Sequence, residues 1–255
     1  MTPSLSAGPV ERRLLAALSQ GPVHLTLIDP EKSPGARAGE VARGAVAAGT
    51  HAILLGGSTG ITPKLMGAAA TAIREAANVP SIIFPEGPGS LAPEADAVLF
   101  MSLLNSRNLD LVIRAHARAA PVVRRLGLEA IPMGYLVIAP GMRVGEVGQV
   151  DAVPRDDPGL AAGYALAAEM LGMRLVYLEA GSGAPEPVPA DLVRVVRAAI
   201  RVPLVVGGGI RSAEEARPLL AAGADVLVTG TVTEEQGLGE RFQAIVAEVR
   251  HARRS

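Results

Sequence analysis

The sequence predicts an α/β protein, a single (β/α)₈ TIM barrel. The chain has 255 residues, and a barrel of this type needs about 250 and folds as one domain. Short runs rich in Val, Ile and Leu recur, each followed by a Gly- or Pro-containing turn and then an Ala-rich segment. Aromatic residues make up only 2%, so the core must be aliphatic, which suits a parallel sheet buried on both faces.

Eight aliphatic runs are predicted as strands, and they span residues 23–29, 52–56, 81–84, 97–101, 129–138, 175–179, 203–206 and 225–229. Apolar residues at helical spacing predict an opening helix over 10–18 and helices over 38–48, 66–76, 109–119, 159–171, 190–199 and 213–222. Strand, loop and helix repeated eight times favour parallel strands joined by crossover helices. The alternative is an open doubly wound sheet, which binds its ligand at a switch point.

We expect one domain over residues 1–255, with a helical extension at 1–20 and the barrel core at 21–250. The segment 139–158 is long and rich in Gly and Pro, and we expect either a functional lid or a disordered excursion there.

Charge and composition exclude several classes of protein. Twenty-four basic and 25 acidic residues give a net charge of −1, so no nucleic-acid partner is expected. The absence of cysteine excludes disulfides and thiolate metal sites and fits a cytoplasmic location. No apolar run reaches the 18 residues that a membrane span requires, so we expect no transmembrane segment.

The ends of the last predicted strands indicate an anion site. In a barrel the active site lies at the C-terminal ends of the strands, and a phosphate often binds after the last two. Gly208 and Gly209 follow the seventh strand, and Gly230 and Thr231 follow the eighth. Backbone N–H groups at glycines approach an anion closely, and a threonine hydroxyl adds a donor. We therefore predict phosphate binding at strands 6–8; a mere tight turn at the glycines is the alternative.

Two carboxylates at strand ends are candidates for chemistry. Glu179 ends the sixth strand and is a natural general base, with Ser182 extending the phosphate site; a solvated, arginine-paired carboxylate is the alternative. Asp29 ends the first strand, where a buried charge must be paired or metal-bound, and Ser58 follows the neighbouring strand. Together they suit Mg²⁺ if substrate phosphates and water supply further ligands. The alternatives are a turn or N-cap role for Asp29 and a plain turn for Ser58.

A set of segments makes the chain resemble one family. In order they are HLTLIDPEK, ILLGGSTGIT, ADAVLFMSLLNSRN, IPMGYLVI, LGMRLVYLEAGSGAP, VPLVVGGGIR and AGADVLVTGT. They are similar to segments of the geranylgeranylglyceryl phosphate synthase family, from about His24 to Glu235, and YLEAGSGA resembles its second group. The loops FPEGPGS (84–90) and QVDAVPRDDPG (149–159) depart from the family pattern, which leaves prenyl chain length and lid behaviour open.

The resemblance implies a Mg²⁺-dependent prenyltransferase. Its substrates are sn-glycerol 1-phosphate and geranylgeranyl diphosphate, joined by an ether bond at the 3-hydroxyl, and the product partitions to membranes. It implies Mg²⁺ on Asp29 and Ser58 and a homo-oligomer. We choose Glu179 as the general base because it lies beside the predicted phosphate site, and Lys32 and Arg107 are further candidates for contacts to the diphosphate. The implied glycerol phosphate site comprises Tyr177, Leu178, Glu179, Ala180, Gly181, Ser182, Gly183, Gly208, Gly209, Gly230 and Thr231. A different prenyl length, a phosphate-binding barrel isomerase or synthase, and a non-enzymatic phosphometabolite-binding barrel remain alternatives.

Overall fold

A computed structural model describes residues 7–57, 60–230 and 238–252, and it contains a closed barrel of eight parallel strands in chain order. The strands are β1 (Val23–Ile28), β2 (Ala52–Leu55), β3 (Ser81–Ile83), β4 (Ala97–Leu103), β5 (Glu129–Val137), β6 (Leu175–Glu179), β7 (Leu204–Gly207) and β8 (Val226–Thr229). The sheet closes because β1 pairs with both β2 and β8, with Leu25 opposite Ala52 and Val23 opposite Val226. The predicted barrel is confirmed, and the open sheet is wrong.

The described helices are α1 (Pro9–Leu18), α2 (Ala36–Ala48), α3 (Pro63–Ala76), α4 (Ala115–Leu126), α5 (Met142–Val147), α6 (Pro158–Met170), α7 (Ala190–Ala199), α8 (Ala213–Ala221) and α9 (Glu240–Ala252). Side chains alternate along each strand, so the barrel has two apolar cores. Val23 and Leu25 point into the barrel, whereas Ile53 and Leu55 pack outward against the helices.

The β3–β4 connection breaks the predicted pattern of eight strand–helix units. Among the described residues it holds only a 3₁₀ turn at Pro88–Ser90. Pro85, Pro88 and Pro93 occur in this stretch together with two glycines, and these residues disfavour helix. No crossover helix therefore joins β3 to β4.

The segment 139–158 is folded rather than a disordered excursion. It contains α5, and Val150 and Val153 form bridges to Ser106 and Ile138. The side chain of Asn105, which is 3% exposed, donates to the carbonyl oxygens of Val137 and Asp151, each at 2.9 Å. These contacts fasten the segment over the C-terminal end of the barrel.

Helix α1 closes the opposite end. The carboxylate of Glu129, at the start of β5, accepts the backbone N–H groups of Val10 (2.7 Å) and Glu11 (2.9 Å), which offsets the positive end of the helix dipole. The buried Glu11 carboxylate pairs with Arg174 at 2.7 Å. Within the described residues, no helix is both long and apolar enough to cross a membrane.

A buried polar network fastens the first and last strands to α9. His24 is fully buried; its Nδ1 lies 2.7 Å from Thr50 Oγ1, its Nε2 lies 3.0 Å from Thr229 Oγ1, and its ring meets Phe242 edge-on. Burial, aided by nearby His51, lowers the pKa of His24 to about 3. The imidazole is therefore neutral in the folded protein at neutral pH.

We predict that this histidine makes the fold acid-sensitive. Below the ordinary histidine pKa of 6.5, this histidine binds a proton in the unfolded chain but stays unprotonated in the folded protein. The free energy of unfolding therefore falls as pH falls. The slope approaches about 1.4 kcal/mol per pH unit for this group. Urea unfolding of the wild type and of His24→Gln between pH 7 and pH 5 measures it. An equal pH dependence in the two proteins contradicts the assignment.

Candidate active site

The carboxyl ends of β6, β7 and β8 meet in a small pocket of about 40 Å³. Gly208 and Gly209 have φ of +80° and +73°, a region that only glycine enters without strain. A Cβ on Gly208 would overlap the Glu179 carboxylate and lie 2.7 Å from the Gly181 nitrogen. Glycine is thus required for the two turns to approach each other.

Many predicted phosphate-site residues meet at this pocket. It is lined by Leu27, Tyr177, Glu179, Ser182, Gly208, Gly209, Ile210, Arg211, Val228, Thr229 and Gly230. Leu178 and Ala180 belong instead to the core between barrel and helices. The carbonyl oxygen of Gly183 accepts a hydrogen bond from the Arg211 guanidinium at 3.0 Å. Thr231 and Ser58 lie outside the described residues.

Glu179 lies between this small pocket and a second, larger one, because it lines both. It is 7% exposed. Its Oε1 accepts the Gly181 N–H at 2.7 Å, and its Oε2 accepts the Tyr135 hydroxyl at 3.0 Å. No arginine contact to it occurs among the described residues, so the alternative of an arginine-paired, solvated carboxylate is wrong.

The electrostatics of Glu179 suit proton transfer. Burial raises the pKa of its carboxyl, while the hydrogen bonds from Gly181, Tyr135 and Tyr177 oppose that rise. Burial beside this carboxylate raises the pKa of both tyrosines well above 10, so their hydroxyls stay protonated as donors. A base with a raised pKa accepts a proton more readily than an exposed glutamate does.

The larger pocket is an apolar groove of about 260 Å³. It runs from Glu179 past β4 to α4 and lies where the β3–β4 connection lacks a helix. Its apolar lining comprises Leu27, Phe84, Leu91, Val98, Leu99, Phe100, Met101, Leu103, Leu111, Ala115, Ala119, Val123, Val144 and Val147. His116 also lines it, with Nε2 donating to the Met101 carbonyl at 2.6 Å and its ring 4.8 Å from that of Phe100.

Three aromatic rings meet where the groove reaches Glu179. Phe84 packs edge-on against Tyr135 (5.6 Å between centroids) and Tyr177 (5.9 Å), and the two tyrosines lie 5.0 Å apart. The whole chain has only three Phe and three Tyr, so half of these residues surround one point. Neither Tyr135 nor Phe84 was predicted as a site residue.

Charged residues surround the groove mouth. Asp29, Lys32, Glu86 and Arg143 line it. Arg107, a predicted diphosphate ligand, is instead exposed and pairs with Asp151 at 3.4 Å. Arg143 and Arg211 were not predicted, although Arg211 lies two residues after Gly209, and this closeness to the glycine turn was the available signal.

Asp29 is the described part of the predicted metal site. Its Oδ1 accepts the Glu31 N–H at 2.9 Å, and a Cβ on Gly57 would lie 2.9 Å from both carboxylate oxygens. The lack of a side chain at Gly57 therefore leaves room beside the carboxylate. No cluster of three or more His, Cys, Asp or Glu side chains suited to a metal occurs in the described residues.

These features define a class: a (β/α)₈ barrel with a small glycine-walled pocket, an apolar groove and a buried carboxylate between them. Residues 17–249 match the PcrB family, and the chain belongs to it. A geranylgeranylglyceryl phosphate synthase of Methanothrix thermoacetophila is 53% identical over 92% of this chain and 93% of the relative. The relative from Thermococcus kodakarensis is 46% identical over 96% of this chain and 97% of its own length.

A solved structure also matches closely. The (S)-3-O-geranylgeranylglyceryl phosphate synthase of Thermoplasma acidophilum, in complex with sn-glycerol-1-phosphate, superimposes with a TM-score of 0.91 at 43% identity. The match covers 96% of this chain and all of that one. The resemblance predicted from the motifs is therefore confirmed.

We predict that Gly208→Ala damages the small pocket specifically. The added methyl meets the Glu179 carboxylate and the Gly181 backbone, and the positive φ adds strain of about 1 kcal/mol or more. Calorimetry with inorganic phosphate should show affinity reduced at least about tenfold. Gly89→Ala is the control, because Gly89 has open space around its Cβ position. Unchanged phosphate affinity in Gly208→Ala contradicts the placement.

Proposed function

We propose that this protein transfers a geranylgeranyl group from its diphosphate to the 3-hydroxyl of sn-glycerol 1-phosphate. The observation that carries the proposal is the position of Glu179, which lines both the phosphate-sized pocket and the apolar groove. A base at that junction can reach an alcohol bound in one pocket and an allylic carbon bound in the other. The names of the relatives agree with this activity.

The small pocket offers the chemistry that glycerol phosphate requires. The turns after β6 and β7 bring glycine backbone beside Ser182, which lines the same pocket. With the phosphate held there, the three-carbon chain extends toward Glu179 and fixes the distance from phosphate to reacting hydroxyl. Positioning of this kind can contribute as much as the base itself.

The prenyl chain fits the groove. Its lining is aliphatic and aromatic along its length, and charged side chains lie only at the mouth and at Glu179. An apolar chain enters, while the diphosphate stays at the charged mouth near Asp29 and Lys32. Ala119, 9% exposed, and Val123, 5% exposed, are small residues on the α4 side, so α4 leaves room for a long chain. Geranylgeranyl is the length we propose.

Glu179 accepts the proton of the reacting hydroxyl group. An alcohol is a weak nucleophile until its proton begins to leave, and a carboxylate within hydrogen-bond reach accepts it. Tyr135 and the Gly181 N–H hold the carboxylate in place. As the diphosphate departs, positive charge develops on the allylic carbon, and the rings of Phe84, Tyr135 and Tyr177 offer faces that stabilise a cation.

Mg²⁺ is the proposed cofactor. The open space beside Asp29 and the single carboxylate fit a hard cation that keeps water and substrate phosphate as ligands. Asp29 would hold it, with Ser58 as the second proposed ligand. When bound, the metal neutralises charge on the departing diphosphate.

Other functions explain less of the site. A phosphosugar isomerase or a heterocycle-phosphate synthase on this scaffold needs the small pocket but has no use for a long apolar groove. A barrel that merely binds phosphometabolites has no need for a buried base flanked by two protonated tyrosines.

Assembly and location stay predictions. A homo-oligomer is supported by α6, whose one charged residue is Glu169 and whose exposed residues include Leu160 and Met170, 44% and 77% exposed. A helix with so little polar surface normally packs against a partner. A cytoplasmic location stays an expectation from the cysteine-free sequence.

We predict that Glu179→Gln lowers kcat by about 10²–10⁴-fold, the usual contribution of a general base, with little change in either KM. The assay extracts labelled product after incubation with radiolabelled sn-glycerol 1-phosphate, Mg²⁺ and geranylgeranyl diphosphate. Burial raises the pKa of Glu179, so wild-type activity should be lost on acidification at a higher pH than an ordinary glutamate implies. Glu75→Gln, on the exposed face of α3, is the control. If Glu179→Gln keeps a near-normal kcat, another group accepts the proton.

We predict that Asp29→Asn weakens the response to Mg²⁺. The Mg²⁺ concentration giving half-maximal rate should rise roughly tenfold or more. Removing a residue that binds the metal directly weakens metal binding at least as much as removing a residue that only contacts a metal ligand. Binding of a non-hydrolysable prenyl diphosphate analogue, titrated with and without Mg²⁺, gives a second readout. Glu31→Gln is the neighbouring control. If Asp29→Asn keeps the wild-type Mg²⁺ response, the metal binds elsewhere.

A further inference from the structure

Arg211 lies next to the predicted phosphate pocket and has no role in the mechanism above. It follows the Gly208–Gly209 turn, is half-buried and lines the small pocket. Among the described residues that line this pocket, it is the one side chain with a fixed positive charge. Glu179 supplies a negative charge to the same pocket.

The pocket needs a cation because its ligand and its base repel each other. A phosphate ester and the Glu179 carboxylate share a space of about 40 Å³, and like charges at this distance raise the cost of binding. Glycine N–H groups offer only partial charges. Three N–H groups at the start of α8 are already used, because Glu215 Oε2 accepts those of Arg211 (2.6 Å) and Ser212 (3.1 Å), and Ser212 Oγ accepts that of Glu215.

Arg211 also holds the turn that forms the pocket wall. Its guanidinium donates to the carbonyl oxygens of Gly183 (3.0 Å) and Pro185 (3.4 Å). From the other side, Arg155 donates to the Glu186 carboxylate and to the Pro187 carbonyl, each at 3.0 Å. Two arginines thus fasten one loop, but only Arg211 lines the pocket.

We propose that Arg211 is a phosphate-binding residue that sets the specificity of this site for a phosphate ester over an uncharged alcohol. Its planar guanidinium has five N–H donors, so the two bonds to loop carbonyls leave donors for an anion. The proposal rests on the proposed function only in naming glycerol phosphate as the ligand; the charge argument holds for any phosphate ester. Arg155 supplies a matched contrast, because it makes similar loop contacts without facing the ligand.

The test compares Arg211→Gln, Arg211→Lys and Arg155→Gln in the full chain. Calorimetry measures the affinity for inorganic phosphate and for sn-glycerol 1-phosphate. We expect Arg211→Gln to weaken both about 10- to 100-fold, the effect of losing a hydrogen bond to a charged group. Arg155→Gln should change them less than about fivefold, as for a partly exposed ion pair. Arg211→Lys should recover much of the loss because it restores the charge.

Steady-state kinetics gives an independent readout. Arg211→Gln should raise KM for glycerol phosphate while KM for the prenyl diphosphate and kcat change little. The proposal is overturned if Arg211→Gln and Arg155→Gln lose the same phosphate affinity, or if Arg211→Lys binds phosphate no better than Arg211→Gln. Arg211 would then only stabilise the loop. A wild type that binds phosphate through Arg211 yet forms no labelled product refutes the proposed transfer reaction and leaves this inference intact.

Discussion

The buried carboxylate of Glu179 is the group on which the rest of the site depends. An isolated charge at 7% exposure is costly, so it needs donors fixed before any substrate arrives. Those donors are the Gly181 N–H and the Tyr135 hydroxyl. They reach it because β5, β6 and β7 are neighbours in register, with Val137 opposite Glu179 and Glu179 opposite Gly207. A slip of one residue in either pairing would turn the carboxylate or its partners outward.

The two cavities arise in different ways from the barrel pattern. The small pocket forms at regular strand ends, where short glycine turns follow the parallel strands β6 and β7. The groove uses the irregular connection, since proline and glycine between β3 and β4 prevent the helix that would fill this space. The segment containing α5 then covers the groove, with Val144 and Val147 in its lining. One barrel thereby places a small pocket and an apolar groove on either side of one buried carboxylate.

The N-terminal end of the barrel contributes rigidity instead of chemistry. Helix α1 is fastened by carboxylates at Glu129 and Glu11, and the His24–Thr50–Thr229 network joins the first and last strands. These polar groups are buried and hydrogen-bonded, which favours one arrangement of the strands.

The sequence by itself determined the strand order, the closed barrel and the central candidates Glu179, Gly208 and Gly209. Periodicity and turn residues are local properties, and the carboxyl ends of parallel strands must converge, so such features can be derived without coordinates. Only the tertiary structure decided which side chains surround those candidates. Phe84, Tyr135 and Arg211 are distant from one another in the chain. The glycine turn near Arg211 is a local signal for that residue, but nothing local to Phe84 or Tyr135 predicts which cavity they line. The groove likewise arises from a missing helix, and its lining depends on which strand and helix faces pack together.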